Sequence, residues 1–335
     1  MSRSAIEWTD DTWNPVRGCS RVSEGCRHCY AEQQAARIVR MGKGKPTPYD
    51  GLVKMVGDEA RWTGKVVLDS KKLADPLRWR KPRRIFVNSM SDLFHESLTN
   101  EQIAAVFGVI AACPQHTFQV LTKRAKRMRG WFEWLESDNE AAAEEWSGRE
   151  CGVSIHDARR DCLLETLDET ATAALAGSFD VCHLGITINA SRAWPLPNVW
   201  IGVSVENRDA LHRLDDLCAC PAAVRMISFE PLLEDLGTVD LTGMGWAIAG
   251  CESGPGARYC PTSALRSLRD QCAAAGVPYF LKQAVHSPIT YGVGDVRLTS
   301  LEEITAGDGS KRKPGGVIGA PYLDGHQHLE FPCPT

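Results

Sequence analysis

The sequence has no apolar run approaching the roughly 20 residues of a membrane-spanning helix. Its first residues, MSRSAIEWTDD, lack the apolar core of a secretory signal, so a cytoplasmic location is expected. No charge of one sign dominates: 38 Lys and Arg stand against 42 Asp and Glu, for a net charge of −4. Nucleic-acid contact would therefore have to come from a local patch, not from the chain as a whole. There is also no fixed-length repeat, which excludes a repeat array. Cysteine, in contrast, is plentiful, at 13 in 335 residues. An odd number in a long chain without an export signal argues against a disulfide framework and for metal binding or catalysis.

One pattern recurs along the chain: a short β-rich run ends in polar residues, and a helical stretch follows. Arg84-Ile-Phe-Val-Asn88 leads to Ser89-Met-Ser-Asp92 and a helix over 99–112, with Thr99 as N-cap. Thr117-Phe-Gln-Val-Leu121 leads to Thr122-Lys-Arg124 and a basic helix ending near Leu135. The runs 199–203, 224–227, 246–249 and 277–281 repeat the pattern, with helices expected over 208–218 and 263–275. The runs are apolar throughout, as in strands buried on both faces of a parallel sheet. Such alternation implies an α/β fold with right-handed crossovers. A barrel or partial (β/α) barrel is expected first, an open doubly wound sheet second. Either would gather the residues that follow the strands at one face. Ser89, Asp92, Lys123, Ser204, Glu206, Glu230, Glu252 and Lys282 are therefore expected to converge. Residues 137–197 break the rhythm and read as an insertion, with a helix over 157–176 and a strand over 179–188. Residues 285–335 are Gly- and turn-rich and read as a C-terminal appendage to a domain of residues 1–284.

The strongest local signal is Gly18-Cys19-Ser-Arg-Val-Ser-Glu-Gly-Cys26-Arg-His-Cys29-Tyr30, with the spacing C-x6-C-x2-C. Three thiolates so close together can bind three irons of a [4Fe–4S] cubane and leave the fourth iron open. Gly18 and Gly25 let the loop bend tightly. A helix expected over 31–40 would point its N-terminal N–H groups at the negative assembly. A structural zinc would need a fourth ligand, from His28 or a distant cysteine. His28, between two cysteines of a CxxC, is better placed to pack beside the bound group. A redox CxxC would leave Cys19 unexplained. Cys151, Cys162 and Cys182, with His156 and His183 near them, offer a second metal site that no CxxC spacing supports; core packing is the ordinary role of such cysteines. Cys218 and Cys220, at a helix end, read as structural.

Basic residues gather at 78–84 and 123–129, interleaved with Trp79, Trp131 and Trp134. Lys123, Arg124, Lys126 and Arg127 are expected to track a phosphate backbone while the indoles stack bases. The competing reading is a solvated helix face with its aromatics in the core.

Several stretches together resemble the three-Cys-motif phage-protein group of the radical S-adenosylmethionine superfamily. They are Ile6-Glu-Trp-Thr-Asp10, Thr12-Trp-Asn-Pro15, the cysteine loop, residues 76–95 with Asn88-Ser-Met-Ser-Asp92, and Gln119-Val-Leu-Thr-Lys-Arg124. Asn198-Val-Trp-Ile-Gly-Val-Ser-Val-Glu206, Glu230-Pro-Leu-Leu233, Glu252-Ser-Gly-Pro-Gly-Ala-Arg258 and Leu323-Asp-Gly325 complete the likeness, which spans nearly all the chain outside 137–197. The resemblance implies a partial barrel of that type and a [4Fe–4S] cluster on Cys19, Cys26 and Cys29. It implies S-adenosylmethionine on the open iron, with Ser89, Asp92, Ser204, Glu206 and Glu230 as the expected polar contacts. One electron, from a carrier such as flavodoxin or ferredoxin, would break the C–S bond and release a 5′-deoxyadenosyl radical that takes hydrogen from the substrate. The substrate expected from a phage-like group is a nucleobase, or an amino-acid adduct on a thymine, in DNA inside a host cell. Isomerisation is the specific expectation. A lesion-repair lyase is the nearest alternative, and a non-catalytic nucleic-acid-binding protein stabilised by zinc or a cluster is the alternative of another class. The chain departs from the group's pattern at Ser89-Met-Ser-Asp92, where Gly-Gly-Glu is frequent, and at Cys251, Ala284, His326 and His328. Cys251 follows a strand, where its thiol is expected to donate hydrogen to a substrate radical; plain packing is the other reading.

Overall fold

The computed structural model describes residues 4, 6–149, 154–176, 193–252, 257–285, 319–320, 322–324 and 326–332. Strand β1 (Asp11–Trp13) leads through β2 (Val16–Arg17) and the cysteine loop to helix α1 (Tyr30–Met41). A hairpin of β3 (Val53–Val56) and β4 (Glu59–Trp62), then β5 (Val67–Leu68) and α2 (Ser70–Leu73), complete the first crossover. Next come β6 (Arg84–Val87), α3 (Asn100–Ala111), β7 (Thr117–Thr122) and three helices, α4 (Ala125–Asp138), α5 (Glu140–Arg149) and α6 (Ile155–Leu175). The rest is β8 (Val199–Ser204), α7 (Arg213–Cys218), β9 (Val224–Phe229), β10 (Trp246–Gly250), α8 (Thr262–Ala275) and β11 (Tyr279–Val285), followed by β12 (Gly319–Ala320), β13 (Tyr322–Leu323) and β14 (His326–Gln327).

Strands β1, β6, β7, β8, β9, β10 and β11 pair in that order, all parallel, in a sheet curled into a half barrel. Strand β12 adds antiparallel to β11. Spatial order follows chain order, as in a (β/α) barrel; a doubly wound sheet reverses order at a switch point. The strands' apolar runs divide between two faces with a period of two. Phe86, Met226, Trp246, Ile248 and Phe280 join Trp8 in one buried cluster, with Trp200 and Phe331 against it. Their sequence neighbours Ile85, Val87, Ile227, Phe229, Ala247, Ala249 and Leu281 belong to the larger cluster shared with the helices. The first cluster fills the concave side as an aromatic floor. Trp8 and Phe331 reach it from opposite ends of the chain, and Trp246 Nε1 donates to Glu330 O at 2.8 Å.

Helix α3 starts where its cap predicts: Thr99 and Gln102 form a reciprocal capping box, and every residue from Ile103 to Ala111 is buried. The expected helix over 208–218 is instead split. Asn207 Oδ1 accepts from Ala210 N (3.2 Å) and closes a 3₁₀ turn at Arg208–Ala210, ahead of α7. In the insertion, Cys162 is buried with Ala143 and Ala158 as a small apolar residue. Cys151, Cys182, His183 and the strand expected over 179–188 lie outside the described residues. No helix among the described residues is long and apolar enough to cross a membrane.

Candidate functional site

The path of the cysteine loop is set by the segment after β6. Asn88 stands at φ +62°, in the left-handed region an Asn tolerates. Its N–H donates to Trp13 O (2.7 Å) and its Oδ1 accepts from Val16 N (3.3 Å). Ser91 Oγ donates to Val16 O (2.8 Å), and Gly18 pairs with Ser91 as a parallel bridge. Gly18 has φ +86°, and a Cβ there would stand 2.1 Å from Lys65 O. Only glycine fits immediately before Cys19.

Three buried charged groups then fasten the loop to strand ends. After β7, Arg124 is 6% exposed. It donates to Asp92 Oδ2 (3.0 Å), to both Glu96 oxygens (3.1 and 2.9 Å), to Ser20 O and Oγ (3.0 and 2.9 Å) and to Cys19 Sγ (3.8 Å). Ser20 Oγ also lies 2.9 Å from His95 Nε2. Since His95 Nδ1 accepts from Ser97 N (3.1 Å), Nε2 carries the proton and donates. Burial, then Arg124, push His95 down.

After β8, Glu206 is fully buried and accepts from Arg213 Nη1 (2.8 Å). Burial pushes this carboxyl up, but Lys123, Arg213 and the Ser23 hydroxyl outweigh it and leave it below the ordinary value. Ser23 Oγ is in turn 3.9 Å from Cys26 Sγ. The backbone of Gly25 lies so close that a Cβ would be 2.9 Å from Glu206 Cδ.

After β10, Glu252 Oε2 is 2.9 Å from His28 Nδ1 and accepts from Arg258 N (2.9 Å) and Nε (3.0 Å); Oε1 accepts from Arg258 Nη2 (2.6 Å). Arg258 Nη1 also donates to Glu24 O (2.9 Å). Burial pushes Glu252 up, but Arg258, with His28, outweighs it and holds the carboxyl at about 2. A depressed carboxylate stabilises the fold fully above its unfolded value, and the contribution is lost as pH falls through the folded one. Glu252→Gln should therefore flatten the acid limb of metal-free protein stability between about pH 4.5 and 2. Urea titrations across that window check this; an unchanged acid limb would remove Glu252 from the fastening.

Within this frame the thiols of Cys19, Cys26 and Cys29 are free and partly exposed. Burial pushes Cys19 up to about 12, with Asp92 adding to the rise and Arg124 opposing it. Burial also raises Cys29, while the N–H groups of Ala31 and Glu32, in the first turn of α1, oppose it. Cys29 lies within electrostatic reach of both Cys19 and Cys26. Ala31, Ala35, Tyr49, Leu52, Trp62 and Met90 wall Cys19 and Cys29 on their apolar side. Among the described residues no three His, Cys, Asp or Glu are placed to hold one metal ion. A cubane does not need that arrangement, because each thiolate takes its own iron.

The expected convergence at the strand ends is observed, but the residues do different things there. Asp92 accepts from Phe94 N (3.0 Å), Thr122 Oγ1 (2.7 Å), Lys123 N (3.2 Å) and Arg124, which leaves it no acceptor position for a cofactor. It is a positioning residue. Ser89 Oγ donates to Asn14 Oδ1 (3.2 Å), and its carbonyl accepts from Tyr30. Ser204 is buried, with its carbonyl on Arg213 (2.6 Å). Glu230 pairs with Lys282 (3.0 Å) and remains at the mouth.

Two expectations are corrected. Cys251 does not face the concave side. Gly250 abuts Glu230 there, so the next residue turns outward, and Cys251 is buried in the helix-side cluster with Cys260, Leu265 and Tyr279. Nor do the four cations expected to meet phosphates form one exposed row. Arg124 is spent on the loop, and Arg127 donates to Leu98 O (3.3 Å) and Asn100 Oδ1 (2.7 Å). Lys123 lies beside Glu206, Trp131 is fully buried, and of the four residues expected to meet phosphates only Lys126 is exposed. Arg83 and Arg84 pair with Asp11 and Asp10 at the opposite end of the strands.

Sequence reasoning missed Arg213 and Glu96 altogether. Arg258 was visible only as the end of a matched motif. Glu32 is 1% exposed and accepts from Arg21 Nε (3.1 and 3.0 Å) and Trp62 N (2.9 Å). Its signal, an acidic residue in a helix's first turn, is too common to single it out.

Fold and site together define a half-barrel α/β protein that carries a three-cysteine loop over the ends of its parallel strands. The chain belongs to the family described as "Protein of unknown function (DUF5131)", whose model matches residues 3–332. No curated protein and no solved structure matches it.

Proposed function

We propose that this protein is a radical S-adenosylmethionine enzyme whose [4Fe–4S] cluster is held by Cys19, Cys26 and Cys29. The observation that carries this reading is the fastening of the cysteine loop, by buried ion pairs, to the strand ends where (β/α) folds build their sites. The donor set fits a soft, thiolate-bound cluster: three thiols, a guanidinium against one, helix N–H groups at another, and an apolar wall. When bound, the cluster supplies the electron that converts S-adenosylmethionine into a source of the 5′-deoxyadenosyl radical. The chain's part is to hold and exclude. Glu230, Lys282 and Lys123 offer polar groups at the mouth, and the aromatic floor closes the half barrel beneath them to water. The substrate proposed is a nucleobase or base-linked adduct in DNA, on the strength of the family resemblance.

Anaerobically purified protein should be brown, with iron and acid-labile sulfide in equal amounts, and should release 5′-deoxyadenosine and methionine from S-adenosylmethionine when reduced. Replacing any one of the three cysteines by Ala should abolish cofactor cleavage and most of the iron. A colourless protein holding one zinc, or full iron in the triple variant, overturns the reading. Mass spectrometry of nucleosides from cells with and without the protein tests the substrate.

A further inference from the structure

Charge is distributed unevenly in a chain with a net charge of −4: residues 17–72 carry 12 Lys and Arg against 6 Asp and Glu, a local net of +6. This segment holds the cysteine loop, α1 and the β3–β4 hairpin. Arg37, Arg40, Lys43, Lys45, Lys54 and Lys65 are exposed and have no ion-pair partner among the described residues. The same segment holds six of the nine large apolar side chains exposed among the described residues: Val22, Tyr30, Met41, Met55, Val56 and Val67.

Helical spacing joins the exposed residues of α1 into one stripe, and the hairpin that the helix packs on adjoins it. Tyr30, Gln34, Arg37 and Met41 are exposed and fall on one stripe of α1, which begins at the residue after Cys29. The opposite face of α1 packs Ala31 and Ala35 on Tyr49, Leu52 and Trp62. The hairpin it covers is a two-stranded sheet, so β3 presents Met55 and Val56 on an open edge.

We infer that the face formed by α1 and the β3–β4 hairpin docks a small acidic electron-carrier protein, which passes its electron to the cluster through the loop that this face adjoins. The inference rests on the proposed cluster. Charge complementarity selects an acidic partner, and the remainder of the chain, at net −10, repels it from other approaches. Exposed Met and Val set among arginines favour a protein over a nucleic acid. Met and Arg are enriched at protein interfaces, whereas nucleic-acid surfaces are more polar and, for single strands, carry several stacking aromatics. Tyr30 is the one exposed aromatic here. The transfer balances as one electron lost by the carrier and one gained by the cluster.

A plant-type [2Fe–2S] ferredoxin, reduced beforehand and mixed by stopped flow, tests this. The second-order rate of cluster reduction should fall steeply with added salt. A variant with Arg37→Glu, Arg40→Glu and Lys54→Glu should be slower by about tenfold or more at low salt and should lose the salt slope. Photoreduced deazaflavin, a small reductant that needs no docking, should reduce wild type and variant equally. An unchanged ferredoxin rate in the variant overturns the inference, as does an equal loss with deazaflavin. So does salt-sensitive binding of duplex DNA that the variant abolishes while the ferredoxin rate stays the same. Wild-type protein without iron instead overturns the cluster reading. Calorimetric titration of oxidised ferredoxin, which needs no cluster, still reads the surface: about tenfold weaker binding by the variant supports docking, and no binding to wild type refutes it.

Discussion

Replacing Arg124 by Gln should lower the stability of the metal-free protein by about 3–5 kcal/mol. The guanidinium side chain is 3% exposed, and it is the only ionic partner of Asp92 among the described residues, at 3.0 Å. Removing it leaves a carboxylate buried without its countercharge, the costly way to break such a pair. The same change releases Ser20 and Cys19, so iron retention should fall along with stability. Arg124→Lys keeps the charge but not the fork that reaches Asp92, Glu96 and Ser20 together, and it should recover only part of the loss. Urea denaturation of both variants measures this. A Gln variant within 1 kcal/mol or so of wild type would mean that water already screens Asp92.

A second large effect is expected from Gly18→Ala. The new Cβ would sit 2.1 Å from the Lys65 carbonyl oxygen, and the backbone would remain at φ +86°. Left-handed strain and overpacking each cost roughly 1–3 kcal/mol, so a loss of at least about 2 kcal/mol is expected. The loop must shift away from Lys65, and Cys19 moves with it. Reconstitution should then yield a protein short of iron although it is folded. Gly25→Ala is the milder companion, because its clash is with a side chain, at 2.9 Å from Glu206 Cδ. Full iron loading in Gly18→Ala would show that the bridge to Ser91 does not set the position of Cys19.

The strands and the order of the sheet were legible because burial on both faces writes an unbroken apolar run into the sequence. The cysteine loop was legible because its spacing is local. What escaped depended on which way a side chain turns after its strand ends. Arg124 sits in a run of cations and reads as surface; its inward turn is decided by Asp92, 32 residues earlier. Cys251 reads as a site residue because it follows β10, but it lies one position past the inward-facing Gly250. Glu206 was recognised, whereas its partner Arg213 lies beyond an interrupted helix whose phase the sequence does not reveal.

The fastenings also bear on how the protein is made. Cys19, Cys26 and Cys29 leave the ribosome early, but the groups that seat their loop come much later: Arg124 is 105 residues beyond Cys19, and Glu252 is 224 residues beyond His28. At a synthesis rate of about 5–20 residues per second, roughly 10–45 s separate the emergence of the last thiol from that of Arg258. For that interval the thiols are a flexible, unseated trio, open to any metal in the cell. For the proposed cluster, correct loading would thus be a late event in the life of the chain, and a nascent protein truncated before β10 should take up iron poorly even with all three cysteines present.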